Sequence, residues 1–161
     1  MGSTIHFNGQ LKSEDVFTNL MLFCTQYSEK QDWEYTLFKN QKNILFRVKD
    51  GKVNTEDFIA KGIHILPVKN CEPLLMEFDD DLYFHSSCKS QFAGVEIHKQ
   101  VIDFLRKIEP FFEDFEVIDE TDYWQTNDED LLKNKIDFLG KAIEEISKTV
   151  ENLKNDKWKY N

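Results

Sequence analysis

The sequence predicts an α+β protein: a mixed or largely antiparallel sheet with helices packed on one face, in the order βαββ(α)βββαβα. Three observations carry this expectation. Segments near 14–30, 95–108 and 129–153 repeat apolar side chains at helical spacing. Short runs rich in Ile, Val, Phe, Tyr and Trp lie between them, bounded by polar or Gly/Pro turns. No internal repeat, low-complexity linker or compositional break divides the 161 residues, so residues 1–161 read as one domain.

The elements follow in order. "TIHFNGQL" alternates Ile5 and Phe7 against His6 and Asn8, the period of a strand. Ser13 stands as N-cap to a helix with Glu14 and Asp15 in its first turn, and Val16, Leu20, Phe23 and Tyr27 form its apolar stripe. "WEYTLF" and "NILFRV" read as strands joined by a polar "KNQK" turn, with "KDG" ending the second. Thr55, Glu56 and Asp57 have the composition of a helix start, and Gly62 that of a stop. "IHILPV" is a strand cut short by Pro67, and "EPLLMEF" and "LYFHSSCKSQF" flank Asp79, Asp80 and Asp81 as a hairpin. A helix from about Val95 to Ile108 ends where Pro110 disfavours helix at Glu109, and "FEVID" follows as a strand with Phe115 and Val117 on one side. Thr126-x-x-Glu129 matches a capping box in front of the longest helix. There Leu132, Ile136, Leu139, Ile143, Ile146, Val150 and Leu153 recur at alternating spacings of four and three, and the tail "KNDKWKY" brings lysines to the negative end of the dipole. Leu131, Phe138 and Ala142 widen the stripe, which favours packing on the chain's own sheet over a dimer seam, and hence a monomer.

Composition narrows the function classes. A hydrophobic content of 40% is that of a folded globule. No apolar run reaches the ~20 residues a bilayer span requires. "MGSTIHFNG" lacks the basic and apolar regions of a signal peptide, and His6 occupies the position where a myristoylation motif needs Ser or Thr. Cys24, Cys71 and Cys88, odd in number and unpatterned, read as reduced thiols of a cytoplasmic protein. Lysine outnumbers arginine eighteen to two, and Phe, Ile and Asn are plentiful, a usage expected of a low-GC bacterial source.

No catalytic, cofactor or metal motif stands out. His85 and Cys88, with Cys71 and His98 near in sequence, lack a second pair at zinc spacing, and residues three apart on a strand point to opposite faces. Cys88 shares a face with Leu82, Phe84 and Ser86, as a core thiol would; Cys24 lies in an apolar helical stripe. The aspartates at 79–81 fit a turn better than a calcium loop, whose Gly and terminal Glu are absent. Catalytic residues, cofactor and metal are therefore each expected to be none.

The charge distribution is the one sharp feature. Thirty acids against twenty bases give −10. Between Glu109 and Asp130 stand ten acids and no Lys or Arg, so the rest of the chain is balanced at twenty against twenty. Such a segment disfavours nucleic acid, which needs a cationic face, and favours a basic protein partner. Glu113, Asp114, Glu116, Asp119, Glu120 and Asp122 are expected to supply the field, and Tyr123 and Trp124 to anchor the contact. The expected function is that of a small acidic inhibitor neutralising a basic protein, such as an immunity protein against a bacterial toxin, with nuclease active sites as the typical cationic target. The alternative is an enzyme or small-ligand binder whose pocket lies against the sheet, lined by Phe-rich strands, His64 and His85. A charge run serving only solubility is the plain counter-explanation.

Overall fold

The computed structural model describes residues 3–49 and 52–158. Its elements are β1 (Thr4–Gln10), α1 (Glu14–Gln31), β2 (Glu34–Lys49), β3 (Lys52–Leu66), β4 (Leu74–Phe78), β5 (Tyr83–Lys89), α2 (Val95–Ile108), β6 (Asp114–Asp119), α3 (Tyr123–Thr126) and α4 (Glu129–Trp158), with a 3-10 turn at Glu109–Phe111. The α+β class stands, and every strand pairing is antiparallel. The strands form two three-stranded sheets, ordered β5-β1-β6 and β2-β3-β4. The β4–β5 hairpin links them: Asp79 N donates to Tyr83 O and Leu82 N to Asp79 O, both at 3.0 Å. Asp79 also fixes the turn through its carboxylate, which accepts from the amides of Asp81 and Tyr83 at 2.9 Å, the role expected of a turn aspartate.

Two local expectations are corrected. The helix read from Thr55 to Gly62 is instead part of β3, paired with β2 from Glu34↔Leu66 to Lys49↔Lys52. Capping signals act over one turn, whereas the ladder satisfies the backbone of a whole segment, so the non-local partner prevails. Gly62 is needed for a different reason from the one its helix-stop reading gave. A Cβ there would lie 1.8 Å from Met76 O on β4, so only glycine lets the two strands approach. The turn expected at "KNQK" is also absent: β2 runs through it, with a register shift between Phe38 and Gln41. Lacking Gly and Pro, this polar run takes a bulge rather than reversing the chain. Residues 50 and 51 of "KDG" and residues 159–161 of the tail lie outside the described residues.

The caps show how far local signals reach. Ser13 accepts from Val16 N at 3.3 Å, and α1 ends at Asp32 in the left-handed conformation. At the other long helix the capping residue is Asp128, not Thr126: Asp128 Oδ1 accepts from Leu131 N at 3.0 Å, while Thr126 closes α3.

One hydrophobic cluster runs through both sheets. Phe17, Leu20 and Cys24 of α1 and Val101, Ile102, Phe104 and Leu105 of α2 meet Ile5, Phe7, Ile63, Ile65, Met76, Phe78 and Phe84 of the strands. Helices thus cover one face, and the other face of β5-β1-β6 is open: His85, Ser87 and Lys89 of β5 and Glu116 and Ile118 of β6 are exposed. α4 joins the core only at its root, through Leu132 and Ile136. Beyond it Ile143, Ile146, Val150 and Leu153 are exposed, and its root lies against α2 and α3, so α4 does not lie along the sheet as expected. No described helix is long and apolar enough to cross a membrane.

Candidate functional site

The acidic segment is built on β6, an edge strand paired with β1 alone through Ile5↔Asp119, Phe7↔Val117 and Gly9↔Phe115. Strand alternation divides its side chains. Phe115, Val117 and Asp119 turn inward; Asp114, Glu116 and Ile118 turn outward, and Glu120 is exposed just beyond them. Gly9 on β1 makes room for the preceding turn: a Cβ there would lie 2.5 Å from the Phe112 ring. Phe112 stacks on Phe115 with centroids 4.7 Å apart, and Phe115 meets Trp124 at 6.4 Å. An aromatic layer therefore backs the outward acids.

A buried polar network anchors the end of β6. The Asp119 carboxylate is fully enclosed and accepts from His98 Nε2 (3.2 Å), Thr121 N (2.9 Å), Thr121 Oγ1 (2.8 Å) and Trp124 N (3.0 Å). His98 Nδ1 lies 2.5 Å from Ser90 Oγ, which also reaches Ser3 O at 3.3 Å. Burial alone would raise the Asp119 pKa, but the hydrogen bond and charge of His98 and the donors of Thr121 together hold it below the usual carboxylate range. Sequence reading missed this set, because Ser90, His98 and the pair Asp119 and Thr121 come from three separate segments. A polar residue on an otherwise apolar helix stripe, His98 among Val101, Ile102 and Leu105, was the available signal.

Ser90, His98 and Asp119 have the composition of a hydrolase triad but not its arrangement. The imidazole presents Nδ1 to the serine and Nε2 to the acid, the reverse of the hydrolase order. All three residues are at most 2% exposed, so a substrate cannot reach the serine. The network is a clamp joining α2, β6 and α3. Arg106 completes it from α2, donating from Nη1 to Asn127 Oδ1 (3.0 Å) and from Nη2 to Tyr123 O and Trp124 O (3.3 and 3.4 Å).

The expected contact residues are therefore of two kinds. Glu113, Asp114, Glu116, Glu120 and Asp122 are exposed. Asp119 and Tyr123 are interior, 2% and 4% exposed, and their expected part as surface contacts is replaced by support from below. Trp124 is half-buried against Phe115, with Arg106 5.8 Å from its ring. Neighbouring bases also neutralise part of the segment. Lys135 pairs with Asp122 at 2.6 Å and Lys99 with Glu129 at 2.8 Å. Glu120 accepts from Thr4 N at 3.0 Å and faces His6 at 3.8 Å, while among the described residues Glu116 meets the neutral Asn8 amide at 3.4 Å and no base. Among the described residues the side chains of Glu113 and Asp114 have no ion pair. Along β6 and the residue before it, the acids without an ion pair among the described residues are Glu113, Asp114 and Glu116, and Ile118, 54% exposed, follows Glu116 on the same side of the strand. Ile118 was legible from strand alternation and overlooked.

Elsewhere, Cys71 and Cys88 are free thiols with Sγ atoms 3.5 Å apart, and Cys24 is buried alone. Among the described residues no group of three or more His, Cys, Asp or Glu is placed to hold a metal ion. Open clefts of about 290 and 310 Å³ flank α1, one lined by Glu14, Lys39, Lys61, Asp79 and Asp80 and the other by Phe17, Met21, Leu37 and Phe38. They are at the lower limit for ligand sites, and His64 and His85 line neither.

Fold and site together define an α+β protein with an acidic, aromatic-backed sheet edge clamped from beneath by a buried histidine–carboxylate network. Neither a protein-family model, nor a curated protein, nor a solved structure matches the chain.

Proposed function

We propose that this is a small acidic binding protein whose sheet edge receives a basic protein, in the manner of an immunity protein that blocks a bacterial toxin in the cytoplasm. The observation that carries the reading is the group Glu113, Asp114 and Glu116, without an ion pair among the described residues and held at and just before the start of an ordered strand rather than on a tail. A field of this kind raises association rates with a cationic surface by about 10–10³-fold at low salt. Cationic active sites of nucleases, shaped for phosphates, are the natural target. Ile118 supplies an apolar contact beside this group.

The test uses the outward acids only, because reversing the enclosed Asp119 would disrupt the fold whatever the partner. Proteins captured from extract of the native organism at low and high salt are identified, and the captured protein is titrated with wild type and with a Glu113→Lys, Asp114→Lys, Glu116→Lys variant. A basic protein released by salt, whose affinity falls at least ~100-fold on triple reversal, is the expected result. Affinity indifferent to both salt and reversal would overturn the proposal.

A further inference from the structure

α4 carries a second surface that the acidic edge does not use. Its 30 residues span ~45 Å, yet only Leu132 and Ile136 at its root belong to the core. Farther along, Ile143, Ile146, Val150 and Leu153 are 38–64% exposed in one continuous stripe. In heptad terms the a positions are Ile136, Ile143 and Val150, all β-branched, and the d positions are Leu132, Leu139, Ile146 and Leu153. That spacing is the one a coiled-coil seam requires.

We propose that residues 139–153 of α4 pair with the same stretch of a second copy of this chain. The flanks of the seam suit a second copy. Gly140, Ala142, Ser147 and Thr149 border it without a charge, while Asp137, Glu144, Glu145 and Glu151 lie on the opposite side of the helix. In a chain of net charge −10, this lets two copies meet without opposing carboxylates. A basic partner would find nothing there to complement. A Cβ at Gly140 would meet no atom within 4 Å, so the flank is open to close approach.

The arrangement is antiparallel. At the root, Leu132 and Ile136 of the same stripe already face the chain's own body, which occupies the space a parallel partner's body would need. With the second body at the far end, the pair is two-fold symmetric, and each seam covers the other. The two stripes bury on the order of 1,000 Å², the lower end for a specific interface, so the dimer is a reversible one.

Sedimentation equilibrium from about 1 to 200 µM tests this. A reversible dimer is expected, and Ile146→Glu with Leu153→Glu should weaken it at least ~100-fold. Both sites are exposed in the single chain, so the variant should keep its melting temperature at concentrations where wild type is monomeric. Spin labels at Asn155→Cys should lie well over ~20 Å apart in the antiparallel pair, since each is several residues beyond the two-fold axis. A wild-type monomer throughout, or dimerisation unaffected by the double variant, would overturn the proposal, leaving the stripe to a different protein; labels in contact would overturn its antiparallel form.

Discussion

Asp119→Asn is the sharpest perturbation of the clamp, because it preserves the size of the side chain and removes its charge. Four donors converge on the native carboxylate: His98 Nε2, Thr121 N, Thr121 Oγ1 and Trp124 N. An amide retains one acceptor oxygen and turns an NH₂ toward those donors, leaving at least one or two of them unsatisfied. At ~1–3 kcal/mol for each buried orphan, the variant should lose about 3 kcal/mol at pH 7. This agrees with the ~3–5 kcal/mol typical when one partner of a buried pair is removed, and it is a large share of the ~5–15 kcal/mol that holds a domain together. The pH dependence gives an independent check. Although burial opposes it, the contacts to His98 and Thr121 leave the folded-state pKa of Asp119 below its ordinary value. A depressed carboxylate contributes stability fully above its unfolded pKa of ~3.9 and loses it as the pH falls through the folded value. Urea unfolding followed by tryptophan fluorescence, at steps from pH 7 to pH 2.5, should therefore show the gap between wild type and variant constant down to about pH 4 and closing below it. A gap under ~0.5 kcal/mol at pH 7, within the scatter of surface substitutions, or one that persists unchanged into acid, would refute the reasoning.

Two further outcomes follow from close contacts. Gly62→Ala should cost ~3 kcal/mol or more in urea unfolding, because its Cβ would sit 1.8 Å from the Met76 carbonyl and backbone must move; a loss below ~1 kcal/mol would contradict that geometry. Oxidised glutathione should convert Cys71 and Cys88 to a disulfide with release of two glutathione thiols, since their sulfurs need only close from 3.5 Å to bonding distance. The thiol count after denaturation should then fall from three to one, leaving Cys24, whose thiol burial pushes up; three thiols remaining would count against the pairing.

What could be read from the sequence were features set by near neighbours. Ser13 caps α1, Asp79 turns the β4–β5 hairpin, and α2 runs from Val95 to Ile108 as its apolar spacing predicts. Reading failed where distant partners decide. Helix-start residues at Thr55–Asp57 lie in a strand because β2 offers a ladder along its whole length, and no local pattern reports that. Within the acidic segment, strand alternation sets Asp119 on the side of Phe115 and Val117 and Asp114 on the other. What no local pattern reports is that a carboxylate can be enclosed there, because the partner that allows it, His98, lies 21 residues earlier.

The division of labour within that segment bears on whether it recognises a partner or merely guards an edge. An exposed edge strand invites pairing with another chain, and a few charges suffice to prevent it. Guarding alone would not require β6 to be fixed at both ends, yet Phe112 seats against Gly9 at one and the Asp119 network locks the other. Nor would it require the pattern of compensation. Lysines from α2 and α4 neutralise Glu129 and Asp122 beside the helices, whereas Glu113, Asp114 and Glu116 keep their charge beside the exposed Ile118. Rigid placement lowers the entropy lost on binding, and unpaired charge increases the attraction toward a cationic surface. Charge alone would guard the edge, but rigid placement adds nothing to that protection, so the two together weigh toward recognition.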